Sequence, residues 1–82
     1  MPRKLSTAHE IQQEVFSRLH AIEEVIEDRA TIVVPFPQWN EPDEHGCNWH
    51  MSMFGGDAAS YIGAIQHVLA ETRAEHQLKD DQ

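Results

Sequence analysis

Apolar and polar residues alternate strictly through the stretch Cys47-Asn48-Trp49-His50-Met51-Ser52-Met53, with the apolar side chains at the odd positions. This period of two is typical of a β-strand with one buried face. An earlier stretch, Thr31-Ile32-Val33-Val34-Pro35-Phe36, is rich in β-branched residues and predicts a second strand. Because a long run of turn-forming residues separates the two stretches, we expect them to pair as an antiparallel hairpin.

Two amphipathic helices are predicted, one on each side of this hairpin in the chain. Thr7 and Glu10 have the spacing of a capping box, which predicts a helix over about residues 8–28. Gly55-Gly56-Asp57 is interpreted as a structural strand-to-helix turn, with Asp57 as the N-cap of a second helix over about residues 58–76. Both helices carry an apolar stripe along one side.

These segments predict an α+β fold, a two-layer α-β-β-α arrangement with both helices packed on one face of the hairpin. The residues expected on that face are Ile32, Val34, Phe36, Trp49, Met51 and Met53. We expect a single domain over residues 1–82, with a flexible arm at 1–6 and a frayed tail at 77–82. Because two strands alone are marginally stable, a homodimer that pairs the proline-free edge strand at 47–53 stays an open alternative.

The charge and the cysteine usage exclude several classes of protein. The chain has 6 Lys plus Arg against 14 Asp plus Glu, a net charge of -8 with histidine neutral. This balance argues against direct binding to nucleic acid, which needs a surplus of cations. Cys47 is the single cysteine, so no intrachain disulfide forms. No apolar run is long enough to span a membrane and no export signal is recognised, so we expect a cytoplasmic protein without a membrane partner.

One cluster of residues has the chemistry of a metal site. His45, Cys47 and His50 offer imidazole and thiolate ligands, which suit zinc. The odd separation of Cys47 and His50 argues against the site, because a regular strand directs them to opposite faces. A Cys–His nucleophile pair is possible on paper, but Cys47 is more simply interpreted as a core residue.

Two acidic patches are candidate surfaces for a partner. The first surrounds Trp39 in the long connection and comprises Trp39, Glu41, Asp43 and Glu44. The second is the end of the first helix, with Glu23, Glu24, Glu27 and Asp28. Trp39 either folds back as a lid over the core, which we favour, or anchors a partner protein.

The sequence therefore predicts a small acidic module for protein–protein interaction or regulation, without catalytic activity and without a cofactor. Acidic patches attract basic partners, so a basic protein is expected, for example a nucleic-acid-binding protein whose basic surface the module occupies. Self-association as a homodimer is left open. The alternative function is a metal- or small-ligand-binding protein that uses His45, Cys47 and His50.

Overall fold

The computed structural model describes residues 3–79, which form a small α+β domain with three α-helices and short strands. The helices are α1 (Ala8–Leu19), α2 (Glu23–Glu27) and α3 (Ile62–Glu75), and a 3-10 helix at Ala58–Tyr61 leads directly into α3. The strands are β1 (Lys4–Ser6), β2 (Ile32–Val33), β3 (Gln38–Trp39), β4 (Trp49–His50), β5 (Gly55–Gly56) and β6 (His76–Leu78). They pair two by two, as β1–β6, β2–β5 and β3–β4.

The two antiparallel pairs belong to one irregular ribbon. Ile32 lies opposite Gly56 in the first pair and Trp39 lies opposite Trp49 in the second, so both pairs keep the same register. The prediction of antiparallel pairing is confirmed, but the strands are much shorter than the stretches 31–36 and 47–53. Pro35 and Pro37 explain the gap, because neither has an N–H group to donate to a ladder.

Phe36 and Met53 were expected in the core, and the structure corrects both. Phe36 is 57% exposed and Met53 is 90% exposed. Met53 has a φ of +63°, which breaks the alternation that the strand pattern requires. Pro37 is buried instead of Phe36, so the inward-facing positions shift by one residue between the two prolines. Ile32, Val34, Trp49 and Met51 are buried as expected.

The predicted first helix is interrupted after Leu19. Its start is confirmed, because the Glu10 N–H donates to Thr7 Oγ1 (3.1 Å) and the Thr7 N–H donates to Glu10 Oε1 (2.8 Å). The His20 ring accepts the Ile32 N–H at Nε2 (3.2 Å), so Nδ1 carries the proton and donates to Phe16 O (2.9 Å). This bridge from α1 to β2 accompanies the end of α1, and a separate short helix, α2, follows.

The core lies between α1, α3 and the ribbon. α1 contributes Ile11, Val15 and Leu19, and α3 contributes Ile65, Val68 and Thr72, all of them buried. Arg18 links the two helices, because its guanidinium donates to Glu75 Oε1 (2.5 Å) and to Thr72 Oγ1 (3.3 Å). Burial of these stripes in one cluster stabilises the domain.

The two ends of the described chain meet as a parallel pair, β1 with β6. Ser6 and Leu78 lie opposite each other and are both buried. The Asn48 side chain joins this pair to the ribbon, since Nδ2 donates to Leu78 O and Oδ1 accepts the Leu78 N–H, both at 2.9 Å. Residues 4–6 of the predicted arm and 77–78 of the predicted tail lie in these two strands. Residues 1–2 and 80–82 of those segments lie outside the described residues.

The edge of the strand around Trp49 is occupied within the molecule. Arg73 of α3 donates from Nε to Trp49 O (3.0 Å), and the Trp49 indole donates to His76 O (2.9 Å). Over residues 3–79, no helix has both the length and the apolar character needed to cross a membrane.

Candidate functional site

A groove between the ribbon and the start of α3 exposes apolar side chains and is here named the apolar groove. It has a volume of about 360 Å³ and is lined mainly by Met51, Met53, Phe54, Ala58, Ile62 and Leu69. Met53 and Ile62 are 90% and 56% exposed, respectively. Small side chains on the 3-10 helix keep the groove open, and the left-handed conformation of Met53 holds that side chain out of the core. A concave apolar surface of this kind suits a binding site.

Carboxylates gather at Tyr61, the last residue of the 3-10 helix that borders this groove. The Tyr61 hydroxyl donates to Asp28 Oδ2 (2.5 Å). The pKa of Tyr61 is raised to about 12, chiefly by this hydrogen bond, then by burial and by the charges of Asp28, Asp57 and Glu24. We call Glu24, Asp28 and Asp57 the acidic rim. Within residues 3–79, none of these three carboxylates forms a salt bridge.

The acidic rim contains two residues of the predicted helix-end patch and one that was assigned another role. Glu23, Glu24, Glu27 and Asp28 are all exposed on or next to α2, as a partner surface requires. Asp57 was expected to cap the following helix through its side chain. Its carboxylate instead accepts the Thr31 N–H (2.9 Å), which places it beside the ribbon and the other two carboxylates.

In the other predicted partner surface, the role of Asp43 differs from that of Trp39, Glu41 and Glu44. Trp39 is 51% exposed, so it does not cover the core as a lid, and Glu41 and Glu44 are exposed as well. Asp43 has an internal role. Its Oδ1 accepts the N–H groups of His45 (2.9 Å) and Cys47 (3.1 Å), and these bonds lower its pKa, with the Arg73 guanidinium lowering it further.

The structure does not bring the three predicted metal ligands together. Cys47 is buried and its thiol donates to Trp49 O (3.4 Å), whereas the His45 side chain is 79% exposed. His50 Nδ1 is 2.8 Å from Asn40 Oδ1, where it donates a hydrogen bond. Over the described part of the chain, no three His, Cys, Asp or Glu side chains are grouped in a way that could hold a metal ion.

Two of those residues line a second cavity instead, here named the arginine groove. It has a volume of about 290 Å³ and is lined by Arg3, Asp43, His45, Cys47, Ala70, Arg73 and Ala74. No pattern in the sequence indicated this groove, because Arg3 and Arg73 are distant in the chain and the pairing of β1 with β6 brings them together. The Arg3 Nε donates to Arg73 O (2.7 Å).

A Ser–His pair is also formed by this pairing and was not predicted. Ser6 Oγ lies 2.8 Å from His76 Nδ1. Ser6 is only 1% exposed, so its hydroxyl is not open to a substrate, and the bond joins the two ends of the chain.

Comparisons of the chain with protein-family models, with curated proteins and with solved structures find no match. The functional interpretation therefore depends on the two grooves and on the charges around them.

Proposed function

We propose that this chain is a small acidic protein-binding module that takes an amphipathic, basic helix of a partner protein into the apolar groove. The observations that carry the proposal are the exposed apolar groove, whose lining includes Ala58 and Ile62, and the three carboxylates around Tyr61, the residue that precedes Ile62 in the chain. Amphipathic helices are recognised in this way, with apolar side chains in a groove and charges at its margin. The role proposed is binding rather than catalysis, in a reducing cytoplasm where Cys47 stays a thiol.

The apolar lining supplies the affinity in this proposal. Met53 and Ile62 leave about half or more of their surface in water. Covering apolar surface is favourable by about 25 cal/mol for each Å² removed from water. Exposed apolar groups in a continuous groove therefore have more to gain from a partner than the scattered apolar residues elsewhere on the surface.

The charges favour a basic partner over a second copy of the chain. Two copies would bring together surfaces that each belong to a molecule with a net charge of -8. Lys or Arg side chains on a partner helix would instead meet carboxylates that have no salt bridge among the described residues. Complementary charge also raises the rate of association and selects the partner. A homodimer, through this groove or through the strand at 47–53, is the competing outcome.

The test uses designed helical peptides as probes. One peptide has leucines along one face and lysines on the other, and its matched control has glutamates in place of the lysines. Binding is followed by NMR on the full-length labelled protein, and we expect saturable shifts at Met53, Ile62 and Tyr61 with the lysine peptide alone. Shifts that spread over the whole surface, or equal binding of both peptides, would contradict the proposal.

Two pairs of variants sharpen this experiment. Ile62→Asn should weaken binding of the lysine peptide, whereas Leu5→Asn should not, although Leu5 is 61% exposed. Glu24→Gln should weaken it more than Glu27→Gln, because only Glu24 acts on Tyr61. Sedimentation equilibrium of the free protein should give a monomer. A dimer that Ile62→Asn dissociates would assign the groove to self-association and refute the proposed partner.

A further inference from the structure

The arginine groove carries positive charge that the described part of the protein leaves uncompensated. Arg73 is paired, since its Nη2 lies 2.7 Å from Asp43 Oδ2. Within residues 3–79, Arg3 forms no salt bridge, and its one hydrogen bond there leads from Nε to the Arg73 carbonyl. Among residues 3–79, the two Nη groups of Arg3 therefore have no hydrogen-bond partner. Two guanidinium groups thus line one cavity with a single carboxylate, in a chain whose net charge is -8.

The guanidinium of Arg3 is held in place on two sides. Its Nε is fixed by Arg73 O, and its Nη1 lies against the backbone turn at Gly46, where an added Cβ would be 3.3 Å away. Gly46 has a φ of +83°, so the turn favours glycine, and the space beside Arg3 stays open. A guanidinium that is oriented before binding loses less freedom when it meets an anion.

The negative charge of Asp43 is already satisfied within the loop. One of its oxygens accepts two backbone N–H groups and the other accepts Arg73. An incoming anion therefore meets the free donors of Arg3, the remaining Nη1 of Arg73 and the exposed ring of His45. The His45 Nε2 atom also lies 3.7 Å from Glu44 Oε1. Ala70 and Ala74 form a floor without bulky side chains.

From this arrangement we propose that the arginine groove binds the phosphate group of a small phosphate monoester. Arginine matches phosphate oxygens with paired N–H donors, and a phosphate monoester offers three terminal oxygens to donors that come from three residues. The volume of about 290 Å³ leaves room for a small organic group beside the phosphate. The arginine groove and the apolar groove have no lining residue in common, so phosphate binding can be tested independently of the proposed partner helix.

The experiment measures binding of inorganic phosphate and of ethyl phosphate to the full-length protein by calorimetry, at constant ionic strength set with chloride. We expect saturable binding of ethyl phosphate. Arg3→Gln should weaken it about tenfold or more, the usual effect of losing a charge-assisted hydrogen-bond pair. Lys4→Gln is the matched control, because it removes the same charge from the next residue of the chain, which lines a different surface groove. That variant should change binding less than about twofold, as expected for a screened charge outside the site.

The remaining outcomes show which phosphate compound is the ligand and whether the arginine groove binds phosphate at all. Tighter binding of ethyl phosphate than of inorganic phosphate supports a monoester ligand, whereas the reverse order overturns that part and leaves free phosphate as the ligand. Equal weakening by Arg3→Gln and Lys4→Gln, or no saturable binding, would refute the site. Unchanged thermal unfolding of Arg3→Gln in chloride excludes misfolding as the cause of lost binding. If Arg3→Gln is unstable, the site is tested instead in the unsubstituted protein, where added ethyl phosphate should shift the NMR signals of the Arg3 and Arg73 side chains. No shift of these signals would refute the site.

Discussion

Gly56 offers the sharpest test of how the ribbon is held together. It has a φ of +67°, and an ideal Cβ on it would lie only 2.4 Å from the carbonyl oxygen of Thr31. Carbon and oxygen atoms do not approach so closely, and the blocking atom belongs to backbone rather than to a flexible side chain. Gly56→Ala must therefore move the ribbon at its junction with the 3-10 helix.

The size of the effect follows from what that movement breaks. A left-handed conformation costs about 1–2 kcal/mol for a residue with a Cβ. The Thr31 carbonyl also accepts the Asp57 N–H (2.8 Å), and the Thr31 N–H donates to the Asp57 carboxylate (2.9 Å). Each of these bonds is worth about 0.5–1.5 kcal/mol. We therefore expect Gly56→Ala to lower the free energy of unfolding by about 2–5 kcal/mol, within the range of mutations that act by a defined mechanism.

Gly63 is the matched control. It lies in the first turn of α3, and an added Cβ there would meet nothing within 4 Å. Gly63→Ala should raise the free energy of unfolding by about 0.5–1 kcal/mol, because alanine is the better helix former. Urea denaturation followed by tryptophan fluorescence measures both, since Trp49 is fully buried in the folded state. A Gly56→Ala variant within about 0.5 kcal/mol of the parent protein would refute the geometry of this junction.

Three further predictions follow from single hydrogen-bonded groups. Asn48→Ala should lower the free energy of unfolding by about 2–4 kcal/mol, because it leaves the N–H and C=O of Leu78 buried and unpaired; a loss under about 1 kcal/mol in urea denaturation would contradict this. The pKa of Asp43 in the folded state is lowered from its ordinary value of 3.8. The ionised carboxylate therefore contributes to stability above pH 3.8, and this contribution is lost as the pH falls below that value. A plot of unfolding free energy against pH should accordingly be flatter in acid for Asp43→Asn than for the parent protein. Tyr61 is the single tyrosine, and its raised pKa means that its contribution is present below pH 10 and is lost as the pH rises through about 12. Ultraviolet titration of the tyrosinate should show ionisation at lower pH in Asp28→Asn, and an unchanged curve would exclude the Tyr61 hydrogen bond.

Local signals in the sequence predicted the segments well. The capping box at Thr7 and Glu10 marks the start of α1 because both bonds form between neighbours in the chain. The alternation around Trp49 and Met51 identifies buried ribbon positions, since it depends on the pleat of the backbone alone. The break after Leu19 was not predictable in this way. It accompanies the bond from Ile32 to the His20 ring, which is a contact between distant segments.

The candidate sites were predicted only in part for the same reason. The acidic end of the first predicted helix is exposed, but its contact with the 3-10 helix depends on the hydrogen bond from Tyr61 to Asp28, two residues that are distant in sequence. The groove exists because Met53 leaves the strand conformation. In the sequence, only Pro35 and the Gly55-Gly56 pair indicated that the strand would be interrupted near Met53. The arginine groove had no local signal, because Arg3 and Arg73 belong to opposite ends of the chain.

The meeting of β1 with β6 has a consequence for synthesis on the ribosome. Lys4 pairs with His76, so this contact closes a loop that runs from residue 4 to residue 76, and closing so long a loop costs entropy and slows folding. Until residues 76–78 have left the exit tunnel, Trp49 lacks the carbonyl that its indole requires, and Asn48 lacks both of its backbone partners. The buried hydrogen bonds of Asn48 and Trp49 are therefore completed only after residues 76–78 have been translated.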